Sequence, residues 1–340
     1  MDSSVNPAQS PEVQPEAVAA ARSVHAKAIL NLVFYALTGE LLISLTALVR
    51  RSLFPDTQIT NTATYLLHFI PLYGIAFPAC LLLAKRQKTS PPEKHRISVG
   101  QFLCAFLMSL GMAITGAIIG VVVISILMTV FKIDTGTTFL QEGVVSEGAF
   151  TLTVIASVFA PVIEEMLFRK LLIDRIRPYG NKAAILLSGF LFGLFHGNFT
   201  QFFYAAMLGM FFAFIYIRTG KIHYTILLHC AINFLSTGVT GTLMRKVNLD
   251  TQVMLEALKK LNIETLRQYI PLGIYMMFYY LAAFTGLILL IIFRRQFRVD
   301  PPEISLPNRK HLSAACLNIG FVLFVSYCIS AFVNSALQNG

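Results

Sequence analysis

The sequence predicts an all-α fold, a polytopic transmembrane helical bundle of about nine spans. Hydrophobic residues make up 56% of the chain and charged residues 13%, roughly half the charged share of a soluble domain. The mean hydropathy is +0.68. Apolar runs of about 20 residues, the length that crosses a hydrocarbon core, recur throughout the 340 residues. The formal net charge of +10 does not signal nucleic acid, because the basic residues gather in short loops beside apolar runs, where membrane topology places them.

Met1–Lys27, rich in Pro, Ser, Gln and Glu, is expected to start disordered and to become helical from Pro15 as it nears the bilayer. The first apolar run, Ala28–Val49, begins too late and is too long for a cleaved signal peptide, so it reads as a retained span. Ala63–Ala84, Phe102–Phe131 and Ala149–Leu172 follow, then Ala183–His196, Phe199–Ile217, Ile222–Met244, Ile270–Phe293 and Leu312–Val333. Ala183–His196 is short enough to be packed partly in protein rather than lipid.

The loops between these runs alternate in charge. Lys85, Arg86, Lys88, Lys94 and Arg96 fill the second loop, and Lys170, Arg175, Arg177 and Lys182 the fourth. Arg218 and Lys221 mark the sixth, and Arg294, Arg295, Arg298, Arg309 and Lys310 the eighth. The third is acidic, with Asp134, Glu142 and Glu147, while Gly197-Asn198 carries no charge. Since Lys and Arg collect on the cytoplasmic side, the expected protein is integral to a bacterial cell membrane, N-terminus inside and C-terminus outside. Its organisation is a cytoplasmic N-terminus (1–27) and one transmembrane domain (28–336), with a core at about 149–244 and an amphipathic outer segment at about 245–269. In that segment Asp250 is placed to cap a helix ending at Asn262, with Val253, Met254, Ala257, Leu258 and Leu261 on one face. Cys80, Cys104, Cys230, Cys316 and Cys328 sit in apolar runs without paired spacing and read as packing residues.

Against this apolar background, one segment is conspicuous: Glu164-Glu165-Met166-Leu167-Phe168-Arg169. A charge in lipid costs roughly 2.5–3.5 kcal/mol, so it persists where it is paired or used. On a helix Glu165 and Arg169 face each other and can neutralise one another. Glu164 is turned about 100° away and is left to accept and return protons. His196 shares a helix face with Phe192, and His229 with Asn233. At 1.5 Å per residue, Glu164, His196 and His229 lie roughly 16, 21 and 10 Å from the cytoplasmic ends of their spans, compatible with one cavity.

A carboxylate and an imidazole can hold and deprotonate water, while a second imidazole and an amide can donate to the oxyanion formed at a carbonyl. That is peptide hydrolysis without a covalent intermediate. A zinc version is an alternative, with Glu164, His196 and His229 as ligands and water in the fourth position. A third reading, from a different class, is a proton-coupled transporter or immunity scaffold that uses the same residues as a relay or polar network. Gly189, Gly193 and Gly197, and more weakly Gly116 and Gly120, form small-residue stripes for close helix approach. Glu40 is an isolated carboxylate within the first span, and Lys221 and His223 read as interfacial.

Glu164-Glu165-x-x-x-Arg169, Phe192-x-x-x-His196 and His229-x-x-x-Asn233, in that order in successive apolar segments, resemble the CAAX prenyl endopeptidase and bacteriocin-processing (CPBP, or Abi) family of intramembrane proteases. The resemblance covers Val154 to about Gly238. It implies an eight-helix-like, all-helical protease core with a water-filled cavity open to the cytoplasm, acting on a membrane-associated or lipidated peptide or protein. By position it assigns water activation to Glu164 with His196, the oxyanion site to His229 and Asn233, and support of the site to Glu165 and Arg169. Family members are described in part as metalloproteases by motif, which leaves zinc as the cofactor to test.

Overall fold

The computed structural model describes residues 13–131, 148–247, 251–306 and 310–337. Among these, every regular element is a helix. In chain order they are α1 (Val13–Leu53), α2 (Asn61–Ala84), α3 (Val99–Phe131), α4 (Ala149–Tyr179), α5 (Asn181–Phe195) and α6 (Phe199–Thr219). Then come α7 (Ile222–Met244), α8 (Thr251–Lys259), α9 (Ile263–Arg267), α10 (Ile270–Ile292), α11 (Lys310–Cys316) and α12 (Ile319–Leu337).

Seven of these, α1 to α4, α6, α7 and α10, are long and apolar enough to cross a membrane; α11 and α12, bent by 57°, make an eighth if the pair is one span. The remaining apolar segment, α5, has 15 residues. It packs in protein, as its length predicts. Half of the most apolar window of α4 and of α6 is buried, against 11% in α3 and α10. Thus α4 and α6 form the inside of the bundle, and α3 and α10 face lipid.

Local chemistry fixes the α5–α6 corner. Gly197 adopts φ +65°, a left-handed conformation that suits glycine. Asn198 then caps α6: its Oδ1 accepts from the Gln201 N–H at 2.9 Å, and its Nδ2 donates to the His196 carbonyl at 2.7 Å. Gly189 and Gly193 let α5 lie against α6, since a Cβ at Gly189 would meet Ala206 O at 2.9 Å and one at Gly193 would meet Phe202 O at 2.7 Å. Gly197 therefore makes the turn rather than extending the packing stripe. In α3, a Cβ at Gly116 would meet the Tyr204 backbone and one at Gly120 the Phe199 carbonyl.

The basic loops meet on one face and are tied together. The Ser90 N–H donates to Asp174 O (2.6 Å), His95 N–H to Thr219 O (2.8 Å) and Ile304 N–H to Pro178 O (2.8 Å). Arg175 donates to Ala84 O and Leu171 O, both at 2.6 Å, and Arg177 to Ser90 O at 2.7 Å. These arginines serve the fold as well as topology. In the amphipathic segment, Asn262 closes the end of α8, its N–H donating to Ala257 O at 2.9 Å, and also caps α9, its Oδ1 accepting from Thr265 N–H at 3.1 Å. The chain turns between the two at Leu261, φ +47°. Ala257 is buried, whereas Leu258 and Leu261 remain exposed, so the expected apolar face is only partly covered. The expected cap, Asp250, lies outside the described residues.

Candidate active site

The site is built on α4, whose winding is uneven. It widens to i→i+5 turns over Ile155–Phe159 and again over Met166–Ile173, with an ordinary α-helical turn at Ala160–Glu165 between them. Pro161 explains part of this. The Ala160 N–H bonds to Ile155 O, and Pro161 has no N–H to give, which leaves the Ala156 carbonyl to find a donor elsewhere. Asn233 of α7 supplies it, Nδ2 donating at 2.8 Å. α7 itself widens immediately after Asn233, over Phe234–Val239. Wide turns of this kind are frequent at functional sites.

Below this joint lies the charged cluster. Glu165 Oε2 is 3.0 Å from Arg169 Nε, and both side chains have no solvent exposure. Glu165 Oε1 meets His229 Nδ1 at 3.1 Å, and His229 Nε2 stands 3.6 Å from Glu164 Oε2. The imidazole therefore stands between the two adjacent carboxylates. The division expected from helical geometry, with Glu165 occupied by Arg169 and Glu164 answering to the histidines, is incomplete. Glu165 holds both Arg169 and His229. Glu164 is the accessible member, with 17% of its side chain exposed.

Aromatic rings wall the cluster. Phe192 has the Arg169 guanidinium 4.8 Å from its centroid, and Phe212 has it at 5.8 Å, a cation–π arrangement on two rings. Arg169 also donates to Gly209 O at 3.3 Å. Phe192 meets the His229 ring at 5.6 Å and the His196 ring at 4.9 Å, both edge-on. The two histidines thus converge on one aromatic ring although their depths differ by roughly 11 Å when counted from the span ends. His196 Nδ1 is 2.9 Å from Phe192 O; because a carbonyl only accepts, Nδ1 carries the proton and Nε2 has the free lone pair in the neutral ring.

Glu164, Glu165, Arg169 and His229 are brought together, with His196 within Coulombic reach of Glu164 and His229. Asn233 is on the same helix as His229 but is anchored to α4 through Ala156 O. Glu40 lies apart, on an exposed face of α1 within Coulombic reach of His68 and Tyr327. The sequence reading missed Phe212 and Gly209, as well as three tyrosines within Coulombic reach of Glu164: Tyr35 of α1, Tyr73 of α2 and Tyr204 of α6. None carries a distinctive signal, because aromatic and small residues are ordinary in membrane helices.

The zinc alternative is not matched by this arrangement. His229 has a carboxylate at each ring nitrogen, and among the described residues no three His, Cys, Asp or Glu side chains are grouped to hold a metal ion.

Comparison with known proteins adds an independent line. Residues 146–235 match the family model described as type II CAAX prenyl endopeptidase Rce1-like. Over 83 residues the chain is 30% identical to the Bacillus subtilis (strain 168) protein named "Putative membrane peptidase YdiL", covering 24% of this chain and 34% of that protein. The chain thus spans about a third of the length of the curated relative it matches. No solved structure matches. The family match falls on α4 to α7, the helices that carry the charged cluster and both histidines, and supports the resemblance read from the three motifs.

Proposed function

From the match of residues 146–235 to the CAAX prenyl endopeptidase family, we propose that this chain is an intramembrane endopeptidase cleaving a membrane-associated or lipidated peptide or protein. The observation that carries the proposal is the convergence of Glu164, Glu165, Arg169 and His229, with His196 alongside, inside a bundle where each charge is costly. Glu164 is the member with access to water.

In the proposed reaction Glu164 takes a proton from a water that His196 Nε2 orients by accepting its second hydrogen. The resulting hydroxide attacks the scissile carbonyl carbon, and the electron pair moves to the carbonyl oxygen. The oxyanion receives hydrogen bonds from Nε2–H of His229, which must act in its doubly protonated form because Nδ1–H already donates to Glu165, and from the second N–H of Asn233, the first being held by Ala156 O. The 3.6 Å between His229 Nε2 and Glu164 is a charge contact rather than a hydrogen bond, so the Nε2–H is left to donate to an oxyanion formed beside Glu164. Glu164 then returns its proton to the departing amine as the C–N bond breaks. Glu165 and Arg169 fix the imidazole and balance one buried charge with another. No step passes through a metal. The enzyme would sit in the cell membrane with its basic face toward the cytoplasm.

The non-enzymatic reading, a proton-coupled transporter or immunity scaffold, uses the same buried charges as a relay. Cleavage of membrane-peptide libraries by purified wild type, Glu164→Ala and His229→Ala separates the two. Loss of products in both variants supports hydrolysis. Normal cleavage by Glu164→Ala, or ion-coupled transport by a wild type that cleaves nothing, overturns it.

A further inference from the structure

On the outer side of α6 from the charged cluster, a cavity of about 950 Å³ opens on the basic face between the loop before α3, the end of α6 and the loop after α10. We propose that it binds an anionic phospholipid, with the headgroup at Arg96 and Arg218 and one acyl chain in the apolar depth.

Two kinds of lining carry this. The depth is apolar, with Met108 and Cys104 of α3, Phe211 of α6, and Phe293 and Phe297 after α10. The rim is charged, but its charges are unequally satisfied. Arg177 is held by Glu303 at 2.6 Å, and His95 has Glu93 at 3.7 Å. Arg96 and Arg218 have no acidic partner among the described residues, and both are exposed. Asp300 is the rim carboxylate without a basic partner among the described residues, so the unsatisfied charge is net positive. Arg294, Arg295 and Arg298 on the same loop add to the field. A volume of this size, apolar within and polar at its mouth, has the build of a small-molecule site.

The position selects a lipid over a soluble anion. α3 and α10 are the least buried of the membrane helices, and Leu103, beside Cys104 on α3, is itself 54% exposed. The apolar wall is therefore continuous with the surface that faces acyl chains, while the two free guanidinium groups lie at the level of headgroups. Each basic residue near an anionic bilayer surface is worth about 1 kcal/mol, so the pair favours an acidic over a zwitterionic lipid by roughly 30-fold.

Cys104 reports occupancy, because it lines the cavity and is partly accessible. The full chain, purified in a neutral detergent, is treated with N-ethylmaleimide in the presence of phosphatidylglycerol, phosphatidylcholine or glycerol 3-phosphate. Labelling is then read at Cys104 by peptide mass spectrometry, with Cys230 and Cys316 as references. Phosphatidylglycerol is expected to slow labelling at Cys104 at concentrations roughly 30-fold below those at which phosphatidylcholine does, and not to protect the references. Arg96→Gln with Arg218→Gln is expected to erase that preference while leaving lipid-free labelling at Cys104 as in wild type. Equal protection by phosphatidylcholine, protection by glycerol 3-phosphate alone, no protection by any lipid, or an unchanged preference in the double variant overturns the proposal. None of these readouts depends on peptidase activity, so the result stands apart from the proposed reaction.

Discussion

His229 Nδ1 lies 3.1 Å from Glu165 Oε1, joining α7 to the buried ion pair of α4. The ring is aimed by this contact, which leaves Nε2 pointing toward Glu164. Orientation of an imidazole through its other nitrogen is the usual way a protein fixes its tautomer. In the proposed mechanism Glu165 and Arg169 are therefore positioning residues, and the chemistry is assigned to Glu164, His196, His229 and Asn233.

Removing Arg169 leaves Glu165 buried with only the His229 ring against it. Arg169→Ala is expected to destabilise the fold by about 3–5 kcal/mol, because a broken buried pair strands the other charge. Thermal unfolding in detergent, with wild type alongside, measures this. Arg169→Lys should recover only part of the loss, since an ammonium cannot spread over Phe192 and Phe212 as a guanidinium does.

Phe192 holds Arg169 and both histidine rings. Phe192→Leu keeps an apolar side chain but loosens all three. A drop of about 100-fold in turnover is expected, the cost typical of a misplacement near 1 Å, with the protein still folded. Kinetics on the reconstituted enzyme checks it.

Asn233 is given two tasks, which a pair of substitutions separates. Asn233→Asp retains shape but removes the donor to Ala156 O, and should destabilise by about 1–3 kcal/mol. Pro161→Ala restores a backbone N–H in α4, so the Asn233→Asp penalty should shrink in the double variant. Activity should stay low in both, since the oxyanion donor remains absent. A double-mutant cycle with unfolding and cleavage as readouts tests the separation.

Chelation tests the zinc alternative. The arrangement of His229 between two carboxylates predicts that activity survives exhaustive chelation and that metal content is well below one ion per chain, measured by elemental analysis. Loss of activity and its return with zinc would favour a metal-bound form.

The legible part of the site is the part made of residues that are rare in lipid. Glu164, Glu165, Arg169 and His229 stand out because charge and imidazole are costly there, and the structure gathers them. The helical spans were legible for the same reason in reverse, as uninterrupted apolar length, and the shortness of α5 correctly separated it from the rest. The bond from Asn233 to Ala156 was not legible. It depends on a wide turn whose free carbonyl appears only when the helix is wound. Nor was the role of Arg175, which looks like a topology charge in sequence but satisfies carbonyls of α2 and α4. Tyr35 and Tyr73, on helices distant in sequence, lie within Coulombic reach of Glu164, a placement that local pattern does not encode.

The central claim is that Glu164 activates the attacking water, and its most direct test is the single-turnover cleavage rate of Glu164→Gln against wild type in reconstituted membranes. The substrate peptide is one identified by comparing membrane peptides from cells carrying wild type and Glu164→Ala. Since Gln keeps the shape but cannot take a proton, the rate should fall by about 100-fold or more, the usual worth of a general base, with the unfolding midpoint nearly unchanged. Wild-type cleavage by a folded Glu164→Gln protein would contradict the mechanism.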